Sequence, residues 1–241
     1  MSTLIPTDNE SLNTYYIKTE EEFVQLIKSN NLDSTLKLNS DLMAKFEDLL
    51  NFAFVNAYEK NNYSNRSHLF LQRVLYYINR LNFFWFDDIE NYINEDSTAL
   101  FSLSKQIEAE WAKWELNHVQ IDSLECLPYE EALNNRVNED LNPLPTEETL
   151  FLRNEMIQSG YKRLLAITSL DGLVEASQLS RVLGGVGNEI QLMLAKIFWE
   201  EYGGGKLSHK HSSYFINMLK ELNMETVPEA YFDVVPWEVL A

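Results

Sequence analysis

The sequence predicts an all-α protein. Apolar residues recur at spacings of three and four in eight segments, and no segment alternates with the period of two that strands require. The chain has 241 residues, of which 45% are hydrophobic, and this is enough for a sizeable core. All eight glycines lie at or after Gly160. Tight glycine turns are therefore expected only in the C-terminal part of the chain.

The first part of the chain contains four predicted helices joined by turns rich in Asn, Asp and Ser. Asp41 and Ser67 are candidate N-caps, because a short polar side chain before an apolar stretch can accept hydrogen bonds from free backbone N–H groups. The four helices are predicted over Glu20–Ser29, Asp41–Glu59, His68–Leu81 and Ala99–Val119.

A proline-rich stretch around Pro143 and Pro145 is the best internal boundary, because it cannot continue a helix, and Thr146 can cap the helix that follows. We therefore expect an N-terminal helical region over residues 1–145 and a second region over residues 146–241. The second region has helices predicted over Glu147–Gln158, Tyr161–Leu183, Asn188–Tyr202 and Leu207–Leu222. The glycine clusters at 184–187 and 203–205 are predicted to be turns, since neither has the spacing of a phosphate-binding loop.

The composition excludes several classes of function. The net charge of −18 disfavours binding to nucleic acid or to a membrane surface. No run approaches the roughly 18–20 apolar residues of a membrane-spanning helix, and the N-terminus has no basic signal-peptide region. The single cysteine, Cys126, cannot form an internal disulfide and suits a reducing compartment. We expect a cytoplasmic protein in which Cys126 has a structural role.

Two polar residues fall on apolar stripes of consecutive predicted helices. Glu201 follows Ile190, Leu194, Ile197 and Phe198 at helical spacing, whereas Glu200 aligns with Lys196 on the outer face. On the next helix, His211 lies on the stripe that includes Tyr214, Phe215 and Met218. A buried carboxylate must be protonated, paired or bound to a metal. The spacing leaves two alternatives, namely a Glu201–His211 hydrogen bond that joins two helices and a metal site.

Three other residues are weaker candidates for chemistry. Glu175 lies on a mixed stripe that does not decide between an inward and a boundary position. Glu115 and His118 form a single Glu-x-x-His pair, whereas ferritin-like di-iron bundles use that motif twice. We expect His118 to be a packed, hydrogen-bonded histidine at a helix end, and His68 to need no functional explanation.

Three short motifs resemble the iron-containing redox enzymes of the haem-oxygenase-like di-iron oxidase superfamily. They are Glu175-Ala-Ser, the acidic Glu200-Glu-Tyr-Gly-Gly-Gly turn and Lys210-His-Ser-Ser-Tyr-Phe. The stretch Ile107-Glu-Ala-Glu-Trp-Ala-Lys-Trp-Glu resembles the helix that precedes the domain in this family. The resemblance covers roughly residues 105–241.

The resemblance implies a bundle similar to haem oxygenase that binds two non-haem irons instead of haem. It implies that Glu175 and Glu201 supply carboxylate ligands and that His211 supplies an imidazole, a donor set that suits iron. It further implies an enzyme that uses dioxygen to oxidise a small amine or amino-acid-like substrate. No general acid or base is assigned by these motifs.

The family completes its site with a further glutamate and a His/Asp/His set on later helices, and this chain has no histidine after His211. We therefore expect the first half of the domain, with exposed apolar faces on the hairpin of residues 188–222. A second protein chain or another copy would supply the rest; a truncated product and a retained half-fold are the alternatives. The competing hypothesis is a non-catalytic helical interaction or scaffold protein in which Glu201 and His211 form a structural hydrogen bond.

Overall fold

The computed structural model describes residues 5–6, 8–59, 64–81, 93–119, 127–141, 143–184 and 187–241. These residues form eleven α-helices and no strand, so the predicted all-α class is confirmed. Cys126 lies outside the described residues, as do two residues of the glycine cluster at 184–187. None of the helices in the described part of the chain combines the length and the hydropathy that crossing a bilayer requires.

The described part of the N-terminal region contains six α-helices, and α3 continues into a π-helical turn at Val55–Glu59. The four predicted helices correspond to α1, α3, α4 and α5, whereas α2 and α6 were not predicted. The bounds are Asn9–Ile27 (α1), Leu32–Leu38 (α2), Ser40–Phe54 (α3), Asn65–Arg80 (α4) and Thr98–Leu116 (α5).

Both candidate N-caps in this region are wrong. Ser64, not Ser67, caps α4 by accepting a hydrogen bond from the Ser67 backbone N–H. Ser67 itself is buried, and its hydroxyl lies 3.0 Å from the Tyr16 hydroxyl of α1. Asp41 lies inside the first turn of α3, which begins one residue earlier. Both helices start before their apolar stripes do, because caps are set by local backbone geometry and not by burial.

Helix α4 lies at the centre of the N-terminal core. It packs against α1, α3 and α5, and its Phe70 and Leu71 are almost completely inaccessible to solvent. Leu49 and Leu50 of α3 and Ile107 of α5 are equally buried in the same cluster. Apolar spacing of three and four predicted these segments to be helices, and each of them is helical.

The second region is built from shorter helices with 3₁₀ turns between them. Thr146 caps α7 as predicted, through the Thr149 backbone N–H. The last helix of the N-terminal region is Tyr129–Leu141 (α6). The α-helices of the second region are Glu147–Asn154 (α7), Gln158–Gly172 (α8), Glu189–Glu201 (α9), His211–Glu221 (α10) and Trp237–Leu240 (α11). The 3₁₀ segments are Ser177–Val182, Gly203–Gly205, Leu207–His209 and Phe232–Val234.

Three predicted helices of this region are longer than the observed ones. The helix predicted over Glu147–Gln158 ends at Asn154. The helix predicted over Tyr161–Leu183 ends at Gly172, and the helix predicted to begin at Leu207 begins at His211. The end of α8 is fixed by packing, since a Cβ at Gly172 would lie 2.6 Å from a ring carbon of Phe215 on α10. This close approach brings the end of α8 to the side of α10.

The C-terminal segment returns to the N-terminal core. Helix α11 packs on α4, and the Trp237 ring stacks on the buried His68 ring with centroids 4.1 Å apart. The Phe232 carbonyl accepts a hydrogen bond from Arg73 of α4, and Glu229 forms an ion pair with Arg80. The segment also packs on α8, so it contacts both regions of the chain.

Helices α9 and α10 are covered on one side only. No residue of α9 is buried, and only Ser212 and Leu219 of α10 are. Large apolar side chains on both helices are exposed, among them Ile190, Trp199 and Tyr214. The predicted exposed apolar faces of this hairpin are therefore present.

Candidate metal centre

Three side chains converge where α8, α9 and α10 meet. Glu201 is the last residue of α9, His211 is the first residue of α10, and Glu175 lies in the turn that follows α8. One donor atom from each lies within 4.8 Å of the other two. His211 Nδ1 is 2.5 Å from Glu201 Oε2 and 3.8 Å from Glu175 Oε1. In the described part of the chain this is the only such group of His, Cys, Asp and Glu residues.

A glycine turn brings Glu201 and His211 together. Gly203, Gly204 and Gly205 all have positive φ angles, which L-residues with side chains rarely adopt. A Cβ on Gly203 would lie 2.4 Å from the His209 carbonyl carbon and 2.5 Å from the Lys210 nitrogen. The backbone that leads into α10 thus crosses directly over Gly203.

Glu175 reaches the site from a turn and not from a helix face. The residue after it, Ala176, has φ +66°, a left-handed conformation that is uncommon for a residue other than glycine. Glu175 therefore does not lie on the helical stripe that the sequence suggested for it, because α8 ends three residues earlier, at Gly172. Local backbone strain of this kind is often found at functional sites.

The site is only partly shielded from water. The exposed fraction of the side chain is 22% for Glu201, 38% for Glu175 and 47% for His211. Glu201 lies on the same face of α9 as the half-buried Leu194 and Phe198, whereas Ile190 and Ile197 beside it are exposed. The prediction that His211 points into a buried core is wrong, because no described element covers this face of α10.

The contact between Glu201 and His211 has the distance of an ion pair but lacks the geometry of a hydrogen bond. The two atoms are 2.5 Å apart, yet Glu201 Oε2 is buried and receives no hydrogen bond from the described part of the chain. A buried carboxylate oxygen that receives no hydrogen bond lowers the stability of the folded protein. A carboxylate and an imidazole at this distance fit either an ion pair or two ligands of a shared cation.

Electrostatics at the site also favour a bound cation. Burial raises the pKa of Glu175, and repulsion from the nearby Glu201 carboxylate raises it further, whereas His211 opposes the shift. Two carboxylates that repel each other are relieved by a cation between them. Two hard oxygen donors and one imidazole nitrogen suit a divalent first-row metal such as iron.

This constellation lies within a segment that matches a known protein family. Residues 162–241 match the iron-containing redox enzymes. The match includes all three converging side chains, and it confirms the resemblance and the haem-oxygenase-like character of this segment. It begins at residue 162, so the stretch Ile107–Glu115 lies outside it. No curated protein matches the chain.

Two other histidines, His68 and His118, lie in the N-terminal region and outside the group of converging donors. His118 behaves as predicted, since its Nδ1 lies 2.8 Å from the Trp114 carbonyl oxygen just after the end of α5. His68 is completely buried and packs against three aromatic rings, including Trp114 and Trp237. Burial lowers the pKa of His68, which favours its neutral form. The spacing of His68 gave no sign of this packing, because Trp237 comes from a distant part of the chain.

Proposed function

We propose that residues 146–241 form the first half of a non-haem di-iron oxidase that uses dioxygen to oxidise a small amine or amino-acid-like substrate. The observation that carries this proposal is the convergence of Glu175, Glu201 and His211 within 4.8 Å, inside the segment that matches the iron enzymes. Iron bound there would supply the electrons that reduce dioxygen.

Each side chain has a defined part in this proposal. Glu175 and Glu201 provide negative charge and hard oxygen donors for ferrous and ferric iron. His211 provides Nδ1, the ring nitrogen that lies close to both carboxylates. The Gly203–Gly205 turn holds the histidine beside Glu201, and the exposed side of the site leaves room for further ligands and for a substrate.

Three donors are too few for a pair of irons. Carboxylate-bridged di-iron sites in helical bundles use four carboxylates and two histidines. The proposed oxidase therefore needs additional ligands from helices that would cover the exposed side of α9 and α10.

The test is a titration of the chain with ferrous iron under anaerobic conditions, with binding measured by calorimetry. Glu201→Ala and His211→Ala should each weaken iron binding by more than tenfold, because each removes a ligand. Glu200→Ala and His209→Ala are matched controls, since both residues are exposed neighbours outside the cluster, and these variants should bind iron as the wild type does.

The same variants test the competing scaffold function. If Glu201 and His211 only hold two helices together, their removal should leave iron binding unchanged and should lower the free energy of unfolding by about 1–3 kcal/mol. That result, or a wild-type chain that binds no iron, would overturn the proposed oxidase.

A further inference from the structure

A lysine and an aromatic ring flank the candidate ligands in the chain and contact each other across the glycine turn. Tyr202 follows Glu201 at the end of α9. Lys210 precedes His211 at the start of α10. The Lys210 ammonium nitrogen lies 4.6 Å from the centre of the Tyr202 ring, a distance at which a cation is attracted to an aromatic face. The contact therefore joins the two helices one residue away from the ligands.

Both partners of this contact are restricted by their surroundings. Tyr202 stacks on Phe198, one turn earlier on α9, with ring centroids 4.4 Å apart. Tyr202 and Lys210 are half-buried. The other lysines of residues 187–222 are all exposed, namely Lys196, Lys206 and Lys220. A cation–π contact that is partly shielded from water is stronger than one at a fully exposed position.

The turn that separates the two ligands offers little backbone restriction of its own. It contains three consecutive glycines with positive φ angles, and glycine has the widest choice of backbone conformations. At Gly203 the backbone passes so close to Lys210 that a Cβ would lie 2.5 Å from the Lys210 nitrogen. Because Tyr202 precedes Gly203, this crossing brings the ring and the lysine to the same end of the hairpin. A contact between side chains there limits how the two helices meet.

We propose that Lys210 and Tyr202 are positioning residues of the metal site, because their contact closes the α9–α10 hairpin and holds His211 beside Glu201. The inference rests on the proposed function and adds two residues to it. The Lys210 carbonyl accepts hydrogen bonds from two backbone N–H groups in the first turn of α10. Restricting the Lys210 side chain therefore also restricts the first residue of that helix, His211.

The sign of the expected effect separates positioning from a direct electrostatic role. A lysine close to a cation site repels the cation, so the loss of its positive charge alone should strengthen metal binding. A positioning lysine has the opposite effect, because its removal lets the ligands move apart. In the described part of the chain Lys210 forms no ion pair with an acidic residue, and its ammonium is directed to the ring of Tyr202.

The experiment measures the affinity of the full chain for ferrous iron by anaerobic calorimetry. Lys210→Met and Tyr202→Leu should each weaken binding by about fivefold, which corresponds to a cation–π contact of about 1 kcal/mol. Lys210→Met/Tyr202→Leu should bind no more weakly than either single variant, because both substitutions remove the same contact. Lys210→Arg keeps a cation and Tyr202→Phe keeps a ring, so both should bind iron as the wild type does.

Lys206→Met is the matched control, because it removes an exposed lysine from the same connection and changes the net charge by the same amount. It should leave the iron affinity unchanged or raise it slightly. Circular dichroism checks that every variant folds. The absorption spectrum of bound cobalt(II) at saturating metal reports the arrangement of the ligands, and it should change in Lys210→Met but not in Lys210→Arg.

The outcomes separate this inference from the proposed function. Iron bound by Lys210→Met with the affinity of the wild type would overturn the positioning role and leave the oxidase proposal in place. Losses of affinity that add up in the double variant, or that Lys210→Arg shares, would do the same, as would a cobalt(II) spectrum that is identical in Lys210→Met and the wild type. A wild-type chain that binds no iron would overturn both proposals.

Discussion

At the scale of single residues, Asp33 connects two helices of the N-terminal region. It lies on α2, and its carboxylate accepts hydrogen bonds from the Ser97 hydroxyl at 2.5 Å and the Thr98 backbone N–H at 3.0 Å, at the start of α5. These hydrogen bonds lower the pKa of Asp33 to about 2. The residue acts as a cap supplied from another helix, in addition to Ser97, which caps α5 directly.

Asp33→Asn should make the protein less stable at neutral pH by about 1 kcal/mol, because it removes the charged acceptor. A carboxylate whose pKa is lowered in the folded state stabilises the protein above its ordinary pKa of 3.8, and this contribution is lost as the pH falls towards 2. The difference in the free energy of unfolding between the wild type and Asp33→Asn should therefore be largest at pH 6 and vanish near pH 2. Urea unfolding across this range measures it.

Asp48→Asn is the control for this prediction, because Asp48 is exposed on α3 and forms none of these hydrogen bonds. The control should match the wild type at both ends of the pH range. A difference between Asp33→Asn and wild type that persists unchanged to pH 2 would contradict the capping role.

At the scale of elements, the glycine turn between α9 and α10 determines whether the candidate ligands meet. Gly203→Ala should lower the free energy of unfolding by about 2 kcal/mol or more, since it adds a left-handed residue and a clash with the backbone at His209. Because that backbone leads directly to His211, the variant should also weaken ferrous iron binding. Thermal unfolding and iron titration measure the two effects.

Gly204→Ala is a matched control, because Gly204 also has a positive φ but a Cβ there would meet only Trp199, at 3.6 Å. Gly204→Ala should lower the free energy of unfolding by about 1 kcal/mol, the cost of the left-handed conformation alone. It should bind iron with the affinity of the wild type. Equal iron affinities in the two variants would show that the turn does not position His211.

The same elements indicate how far the sequence predicts this site. The place of Glu201 at the end of α9 was predictable because residues along a helix can be counted. Its inward direction was not, since Ile190 and Ile197 of the predicted stripe are exposed. The position of Glu175 was not, since the turn at the end of α8 is produced by the contact of Gly172 with Phe215 on another helix. The partial exposure of His211 was also unpredictable, because periodicity identifies an apolar face but not whether anything covers it.

At the scale of the whole molecule, Arg73 connects three parts of the chain. It lies on α4, forms an ion pair with Glu20 of α1 at 3.2 Å, and donates a hydrogen bond to the Phe232 carbonyl in the C-terminal segment. Its guanidinium also lies over the Phe232 ring. Burial raises the pKa of Glu20, although Arg73 opposes the shift. Arg73 thus adds to the Glu229–Arg80 ion pair and to the packing of α11 in holding the C-terminal segment to the N-terminal core.

Arg73→Met should lower the free energy of unfolding by about 3 kcal/mol, because it leaves the Glu20 carboxylate buried without its partner. This loss of stability should become smaller as the pH falls, because the buried Glu20 carboxyl group, whose pKa is raised in the folded state, takes up a proton. The neutral group no longer needs a charged partner. The double variant Arg73→Met/Glu20→Gln should recover part of the stability at neutral pH.

Arg136→Met is the control. It removes an exposed ion pair with Asp140 on α6 and should lower the free energy of unfolding by less than about 1 kcal/mol. Urea unfolding of the wild type and the three variants at pH 7 and pH 4 measures these differences. Equal losses of stability in Arg73→Met and Arg136→Met would contradict the role of Arg73 as the partner of a buried carboxylate.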